Sequence, residues 1–459
     1  MQNKKQKGME TMKNAYLQRV YDQVLQRDPD APEFHQCIRE FLESLEEIVE
    51  DHPEWEKNGI LERFIEPDRT ITFRVTWVDD QGKVQVNRGY RVQYSSAIGP
   101  YKGGLRFHPS VNLSVIKFLG FEMNLKNGLT TLPIGGGKGG SDFDPKGKSD
   151  GEIMRFCQAF ITELYRHIGQ FTDVPAGDIG VGAREIGYMF GQMKRITNMF
   201  DAATLTGKGV PYGGSLARTE ATGYGICYFT DEVLRNLCNS SFEGKTVVIT
   251  GSGNVATYCA EKAMQLGGKV VAMSDSNGYV YDPDGIKLDV IKDIKQKRRA
   301  RIKVYADEVP GAKYTEGCRN IWDIPCDVAI PCATQNEVDV EEAKKIIAGG
   351  AICVTEGANM PCTLEAVELF QKAGIPVSPA KAANAGGVST SALEMSQNSL
   401  RLSRSFEEVD ERLHNIMRGI FKAAYDASVE VGQPGNLVVG ANIASFLKIA
   451  DAMLHQGIV

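Results

Sequence analysis

The chain has 459 residues, 42% of them hydrophobic and 24% charged, with a formal net charge of −6. That apolar content excludes a wholly disordered chain, and the mildly acidic balance gives no bulk field that attracts nucleic acid or an anionic membrane. The 48 glycines exceed the roughly 32 of average usage and lack a collagen period, and 24 of them crowd between Gly99 and Gly225.

The length suits two or three domains. Residues 10–50 are predicted helical, because Phe34, Ile38, Phe41, Leu42, Leu45, Ile48 and Val49 recur at intervals of three and four. From 69 to 94 the period becomes two, around a turn at Asp79-Asp80-Gln81-Gly82, which predicts a hairpin. A helical stretch at 113–125 leads to Lys126. Ser149-Asp150 then open an amphipathic helix carrying Ile153, Phe156, Cys157, Phe160, Ile161, Leu164 and Ile168. A second regime starts near Gly213. Strands at 245–250, 269–273, 327–330, 351–354 and 375–377 alternate with helices, the first of them at 255–266. That alternation predicts a parallel doubly wound sheet from about 214 to 385, and the pattern is helical again from 391.

The ten cysteines form no C-x-x-C pair, and several interrupt apolar runs, as reduced core thiols do. The six histidines lack metal spacing, so no metal is expected. No window approaches 18 consecutive apolar residues, and no apolar stretch follows the basic start Met1-Gln2-Asn3-Lys4-Lys5-Gln6-Lys7. The expectation is a soluble cytoplasmic protein with neither membrane nor nucleic acid as partner.

Gly251-x-Gly253-x-x-Ala256 directly follows a predicted strand and opens a helix. The first glycine makes the tight turn, the second lets a pyrophosphate approach backbone, and the helix N-terminus supplies amides. In this setting the pattern points to dinucleotide binding over an incidental turn. The next strand ends Met273-Ser274-Asp275, with a serine where an acid would bond the 2′-hydroxyl of NAD. The basic run 295–301 is then a site for the 2′-phosphate of NADP or a solvated helix face.

Pro133-Ile134-Gly135-Gly136-Gly137-Lys138-Gly139-Gly140 fails as a P-loop, which would need glycine at Leu132 and serine or threonine at Gly139. Glycines on both sides of Lys138 suggest backbone closely approaching a small substrate. Packing against Ile134 and other apolar groups would lower the lysine's pKa toward that of a general base. The bland alternative is a surface loop with a solvated lysine. Gly99-Pro100-Tyr101-Lys102-Gly103-Gly104-Leu105-Arg106-Phe107 supplies another lysine. Lys102, Lys126 and Lys138 together would bind a dianionic substrate, although each alone is more often a surface lysine. Asp178, in Val174-Pro175-Ala176-Gly177-Asp178-Ile179-Gly180, suits either proton transfer or the turn itself.

These residues, with Ala221-Thr222-Gly223-Tyr224-Gly225, Asn384-Ala385-Gly386-Gly387-Val388 and Ser391, give a chain that resembles the small bacterial type of hexameric glutamate dehydrogenase over nearly its full length. The resemblance implies an α/β fold of two domains. Residues 1–213 would form a substrate and oligomerisation domain with a mixed sheet, completed by helices returning at about 388–459. Residues 214–387 would form the Rossmann-like dinucleotide-binding domain. It also implies reversible oxidative deamination of L-glutamate to 2-oxoglutarate and ammonia with NADP(H), in a homo-hexamer, with substrate in the cleft between the domains.

By resemblance, Lys138 and Asp178 are the catalytic lysine and its acid/base partner. Lys126 holds the α-carboxylate, Lys102 and Ser391 grip the γ-carboxylate, and Gly177 meets the substrate through its backbone. Arg218, Thr222, Gly251, Ser252, Gly253, Asn254, Val255, Ser274, Asn336 and Asn359 line the cofactor. Met123 departs from the glutamine that many members carry three residues before the α-carboxylate lysine, which removes one substrate contact. The rivals are an NAD-linked enzyme of the same activity, a leucine- or phenylalanine-type dehydrogenase, and a silent dinucleotide-binding protein. Lys102 and Ser391 count against an apolar side-chain pocket.

Overall fold

A computed structural model describes residues 11–459, and contacts group these into two compact units. The first takes in the described residues up to Gly128, Pro133–Leu205 and Ser445–Val459; the second takes in Leu129–Leu132 and Thr206–Ala444. The basic N-terminal stretch lies outside the described residues.

The first unit is built on a mixed sheet. Its strands are β1 (Arg69–Val78), β2 (Val84–Ser95), β3 (Tyr101–Phe107), β4 (Gly136–Ser141) and β5 (Asp173–Gly177), in the order β1-β2-β4-β3-β5. β1 and β2 form the expected hairpin and β2 runs antiparallel to β4, whereas β4, β3 and β5 are mutually parallel. Helix Leu113–Leu129 lies over the face that carries Val92, Tyr94 and Lys138, through Gly120 and Phe121. Helix Asp150–Leu164 covers the opposite face, where Phe107 packs edge-on against Phe156 and Phe160. Ser149 and Glu152 cap that helix reciprocally, which fixes its start where the sequence places it. It ends at Leu164, so Ile168 falls beyond it in extended backbone.

The helix predicted over 10–50 is two helices, Ala15–Arg27 and Pro32–Glu43. The break has a steric cause: the residue before Pro29 is barred from helical backbone, while Pro32 suits a first helical position.

The second unit holds β6 (Thr246–Ile249), β7 (Lys269–Ser274), β8 (Gly278–Tyr281), β9 (Lys313–Glu316), β10 (Val328–Ile330), β11 (Cys353–Thr355) and β12 (Val377–Ser378). Their order is β12-β11-β10-β6-β7-β8-β9. The five strands from β12 to β7 are parallel as predicted, and β8 and β9 add an antiparallel edge that the periodicity missed. The chain leaves β6 toward β7 on one side and returns to β10 on the other. This is a topological switch point, where ligands of such sheets bind at the carboxyl ends of the strands.

The return of the chain to the first unit is shorter than the expected 388–459. Helices Gly386–Leu400 and Phe406–Glu430 stay with the second unit, and only Ser445–Val459 joins the first. Backbone contact is the reason. A Cβ on Gly225 would lie 2.9 Å from the Cα of Gly386, so helices Ala221–Leu237 and Gly386–Leu400 touch where side chains are missing. The last helix, Leu437–Gln456, is long and apolar enough by length and composition to cross a bilayer, and 56% of its most apolar stretch is buried inside the protein. Its Phe446 packs edge-on against Phe41, Trp55 and Phe64. All ten cysteines are free thiols, eight of them buried.

Candidate active site

In the first unit the parallel strands bring three charged side chains together. Lys138 projects from β4, Arg106 from β3, and Asp178 follows the end of β5. The Lys138 ammonium lies 3.0 Å from Asp178 Oδ2, and Arg106 Nε donates to the same oxygen at 2.8 Å. Burial pushes the Lys138 pKa below its ordinary value; the Asp178 charge opposes that shift, and the Arg106 and Arg91 charges add to it. Burial alone would raise Asp178, but the Lys138 and Arg106 charges outweigh it and hold the carboxyl below its usual range. An ionised carboxylate thus sits beside a lysine whose hold on its proton is loosened by burial. That is the polarity general acid–base chemistry needs.

Lys102, four residues before Arg106 on the same face of β3, is fully buried and donates to the Val174 carbonyl at 3.0 Å. Lys126 is half-buried near the end of helix Leu113–Leu129. Gly177 makes the sharp turn into Asp178, since a Cβ there would lie 2.5 Å from the Val181 carbonyl oxygen. No motif singles out Arg106. Its signal was the period of two, which puts positions 102 and 106 of one strand on one face.

Packing within the sheet is enough to require the glycine run around Lys138. A Cβ on Gly103 would lie 1.6 Å from the Gly137 carbonyl oxygen, one on Gly136 would lie 2.6 Å from Asn124 Cβ, and one on Gly140 would lie 2.2 Å from the Arg106 carbonyl oxygen. The glycines are there because protein packs against protein. The neighbours that lower the Lys138 pKa are likewise two arginines as well as the burial that was foreseen.

In the second unit, Gly251 turns the chain after β6 with φ +85°, and its N–H donates to Ser274 Oγ at 2.8 Å. Gly253 caps helix Asn254–Gln265 with no side chain, and a Cβ there would meet nothing within 4 Å. An open helix N-terminus behind a glycine turn fits a dinucleotide pyrophosphate. Ser252 is buried in the turn, Val255 half-buried in the first helical turn, and the Asn254 side chain donates to the Thr219 carbonyl at 2.7 Å.

Ser274 is buried and braces the Gly251 turn, so its hydroxyl faces inward. Arg301 donates to Ser276 Oγ at 2.8 Å in the loop just beyond, a feature the sequence did not single out. The basic run is not one helix face. It leaves a π-turn (Asp293–Lys297), passes Arg299 at φ +52°, and folds back onto that loop. Ser391 accepts from Arg218 Nε at 3.0 Å, and Gly387 lies against Thr222, so these predicted residues gather along helix Gly386–Leu400. Asn384 donates to Asn359 Oδ1 at 3.0 Å, and Asn336 N–H to the Met360 carbonyl at 2.9 Å, which ties together the loops after β10 and β11.

A glycine turn at the switch point of one sheet and a lysine–carboxylate pair on another define a nucleotide-dependent oxidoreductase acting on a small anionic substrate. The chain belongs to the Glutamate/Leucine/Phenylalanine/Valine dehydrogenase family, whose model matches residues 213–457; the model of the family's dimerisation domain matches residues 67–195. Relatives include the NADP-specific glutamate dehydrogenase of Helicobacter pylori strain J99, 57% identical over 449 residues that cover 96% of this chain and 100% of that protein. The solved Plasmodium falciparum glutamate dehydrogenase superposes with a TM-score of 0.93 at 53% identity, covering 96% of this chain and 95% of that one. A hetero-hexameric glutamate dehydrogenase from Thermus thermophilus gives a TM-score of 0.83 at 26% identity, covering 94% and 98%.

Arg106→Met removes a cation from beside both Asp178 and Lys138, so both pKa values rise. Activity that needs an ionised Asp178 and a neutral Lys138 should show the acid limb of its kcat/KM profile moving up by about one pH unit. A limb that stays in place or moves down contradicts the assigned polarity.

Proposed function

We propose that this enzyme catalyses the reversible, NADP-linked oxidative deamination of L-glutamate to 2-oxoglutarate and ammonia. The contact between Lys138 and Asp178, with Arg106 on the same carboxylate oxygen, carries the reading. NADP, when bound at the Gly251 turn, supplies the acceptor for the hydride that leaves the substrate Cα.

The remaining steps belong to the chain's own residues. Lys126 binds the α-carboxylate, while Lys102 and Ser391 hold the γ-carboxylate by charge-assisted hydrogen bonds. Gly177 meets the substrate through its backbone. As the hydride leaves, the Asp178 carboxylate takes one amino proton, which gives 2-iminoglutarate. Neutral Lys138 takes a proton from water as the oxygen adds to the imino carbon. Asp178 returns its proton to the amino nitrogen, the C–N bond breaks, and ammonia leaves as the carboxylate takes the hydroxyl proton and the carbonyl forms. Reductive amination runs the same steps backward. Lys102, wholly enclosed and bonded to the Val174 carbonyl, sets a cation where this reading puts the substrate side chain. This supports glutamate over an apolar amino acid.

Arg218, Thr222, Asn336 and Asn359 line the nucleotide, with the pyrophosphate at Ser252, Gly253, Asn254 and Val255. Arg301, from the basic run expected to meet it, holds the 2′-phosphate with Ser276, and Ser274 braces the Gly251 turn of the cofactor site. The enzyme works in the cytoplasm as a homo-hexamer, a reading supported by the family's dimerisation domain and by the hexameric assembly of the Thermus thermophilus relative.

Lys138→Ala should lower kcat at least about 100-fold, the usual worth of a positioned acid–base group, in assays of glutamate oxidation. Wild-type kcat in that variant removes Lys138 from the mechanism. Arg301→Ala should raise KM for NADP⁺ roughly 10- to 100-fold while NAD⁺ kinetics hold within about twofold, since one charged hydrogen bond to phosphate is lost. Equal changes for both nucleotides would place the 2′-phosphate elsewhere. Light scattering should give about six times the 50.3 kDa of one chain, and a dimer mass would refute the hexamer.

A further inference from the structure

Arg91 belongs to no motif above and touches none of the groups assigned to chemistry. It lies on β2, fully buried, and its partner Asp173 opens β5, also fully buried. β4 and β3 lie between those two strands in the sheet. The side chain therefore runs beneath both of them. Nε donates to Asp173 Oδ2 at 2.8 Å, NH2 bonds Asp173 Oδ1, and NH1 donates to the Gly103 carbonyl of β3 at 3.0 Å. Gln93 Nε2 adds a donor to Asp173 Oδ2 at 3.0 Å.

The crossing needs a path free of side chains. A Cβ on Gly139 would lie 3.1 Å from Arg91 Cδ, and one on Gly137 would lie 3.3 Å from its NH2. These are the two residues flanking Lys138. Alternation along β4 sends Lys138 to the other face of the sheet, and register confirms it, because Val92 pairs with Lys138 while Arg91 pairs with Gly139. The same alternation puts Gly103 on the Arg91 face and Lys102 and Arg106 on the other. One guanidinium thus bonds or braces β4, β3 and β5 from behind, the three strands that carry or lead to Lys138, Arg106 and Asp178.

We infer that the Arg91–Asp173 pair is a positioning device for the reaction: it fixes the three strands so that the Lys138 ammonium and the Asp178 carboxylate meet. This rests on the reading of Lys138 and Asp178 as the reacting acid–base pair. The pair touches neither substrate nor cofactor, so it acts through the strands, beside the lesser effect of the Arg91 charge on Lys138.

The test separates positioning from bulk stability. Breaking a buried pair on one side leaves an unpaired charge, whereas replacing both partners with neutral residues is often tolerated. Arg91→Met should therefore lower Tm sharply, and Arg91→Met/Asp173→Asn should recover most of that loss. The recovered double variant should still show kcat reduced at least about 10-fold, because small misplacements of reacting groups are expensive, with KM for NADP⁺ unchanged. Wild-type kcat in the thermally recovered double variant overturns the inference. Should the double variant fail to fold, Arg91→Lys serves instead, keeping the charge without the fork. It is expected to lose kcat at least about threefold at unchanged KM for NADP⁺, and wild-type kcat there overturns the inference equally. Lys138→Ala, run alongside, keeps the two readings apart: full activity in that variant refutes the catalytic lysine itself, whatever the Arg91 variants do.

Discussion

A guanidinium laid across the underside of a sheet imposes a condition on every strand it passes: nothing may project there. Arg91 passes beneath Gly139, Gly137 and Gly103 on its way from β2 to Asp173 on β5. Two of the crowded glycines, Gly139 and Gly137, flank that path, while Gly103 is pressed by the Gly137 carbonyl. A β-strand weakened by glycine would be a poor place to hold a lysine in register, because glycine gains the most freedom on unfolding. The bonds from Arg91 to the Gly103 carbonyl and to Asp173 offset the weakness by tying down the neighbouring strands. Glycine and arginine here form one device, and neither makes sense alone.

The sheet carries two buried charge clusters with opposite characters. On one face Arg91 and Asp173 form a closed pair, one cation to one anion, both without solvent exposure. Its carboxylate is also satisfied by Gln93, so nothing is left to react. On the other face Asp178 accepts from both Lys138 and Arg106, two cations to one anion, and keeps 20% of its side chain exposed. Positive charge in excess lowers the affinity of Lys138 for its proton and welcomes an anion. Burial penalises both clusters. Only the unbalanced, partly open one is suited to chemistry.

Much of this was legible in the residues. The β1–β2 hairpin, the capped helix after Ser149, the parallel strands of the second unit and the Gly251 turn all follow from periodicity and turn chemistry. These are local signals, and local signals survive folding. The break at Pro29 and Pro32 was local too and was overlooked because the apolar spacing continued across it. What stayed hidden was long-range. Arg91 and Asp173 lie 82 positions apart, and Arg106 and Asp178 lie 72 apart. No spacing rule connects them. The glycines were visible as an excess, but a glycine shows only that a side chain is missing and is silent on what fills the space. The same letter serves a ligand's approach and an arginine's path, and the letter alone does not tell the two apart.

The nucleotide half teaches the converse, because there a charge that was plain in the sequence proves to be spent. Asp275 stands one place past the end of β7, close enough to the ribose position to suggest an acid that selects NAD. Its Oδ2 accepts from Ile302 N–H at 2.9 Å, its Oδ1 accepts from Asn277 N–H at 3.0 Å, and Lys295 Nζ lies 3.9 Å away. Only 7% of the side chain reaches solvent. A carboxylate so occupied has little field left to repel a phosphate and little lone-pair capacity left for a ribose hydroxyl. The bond it accepts from Ile302 also draws the end of the basic run onto the β7 loop, setting Arg301 beside Ser276. The acid that would argue for NAD when read alone is, in place, part of what holds the cation suited to NADP.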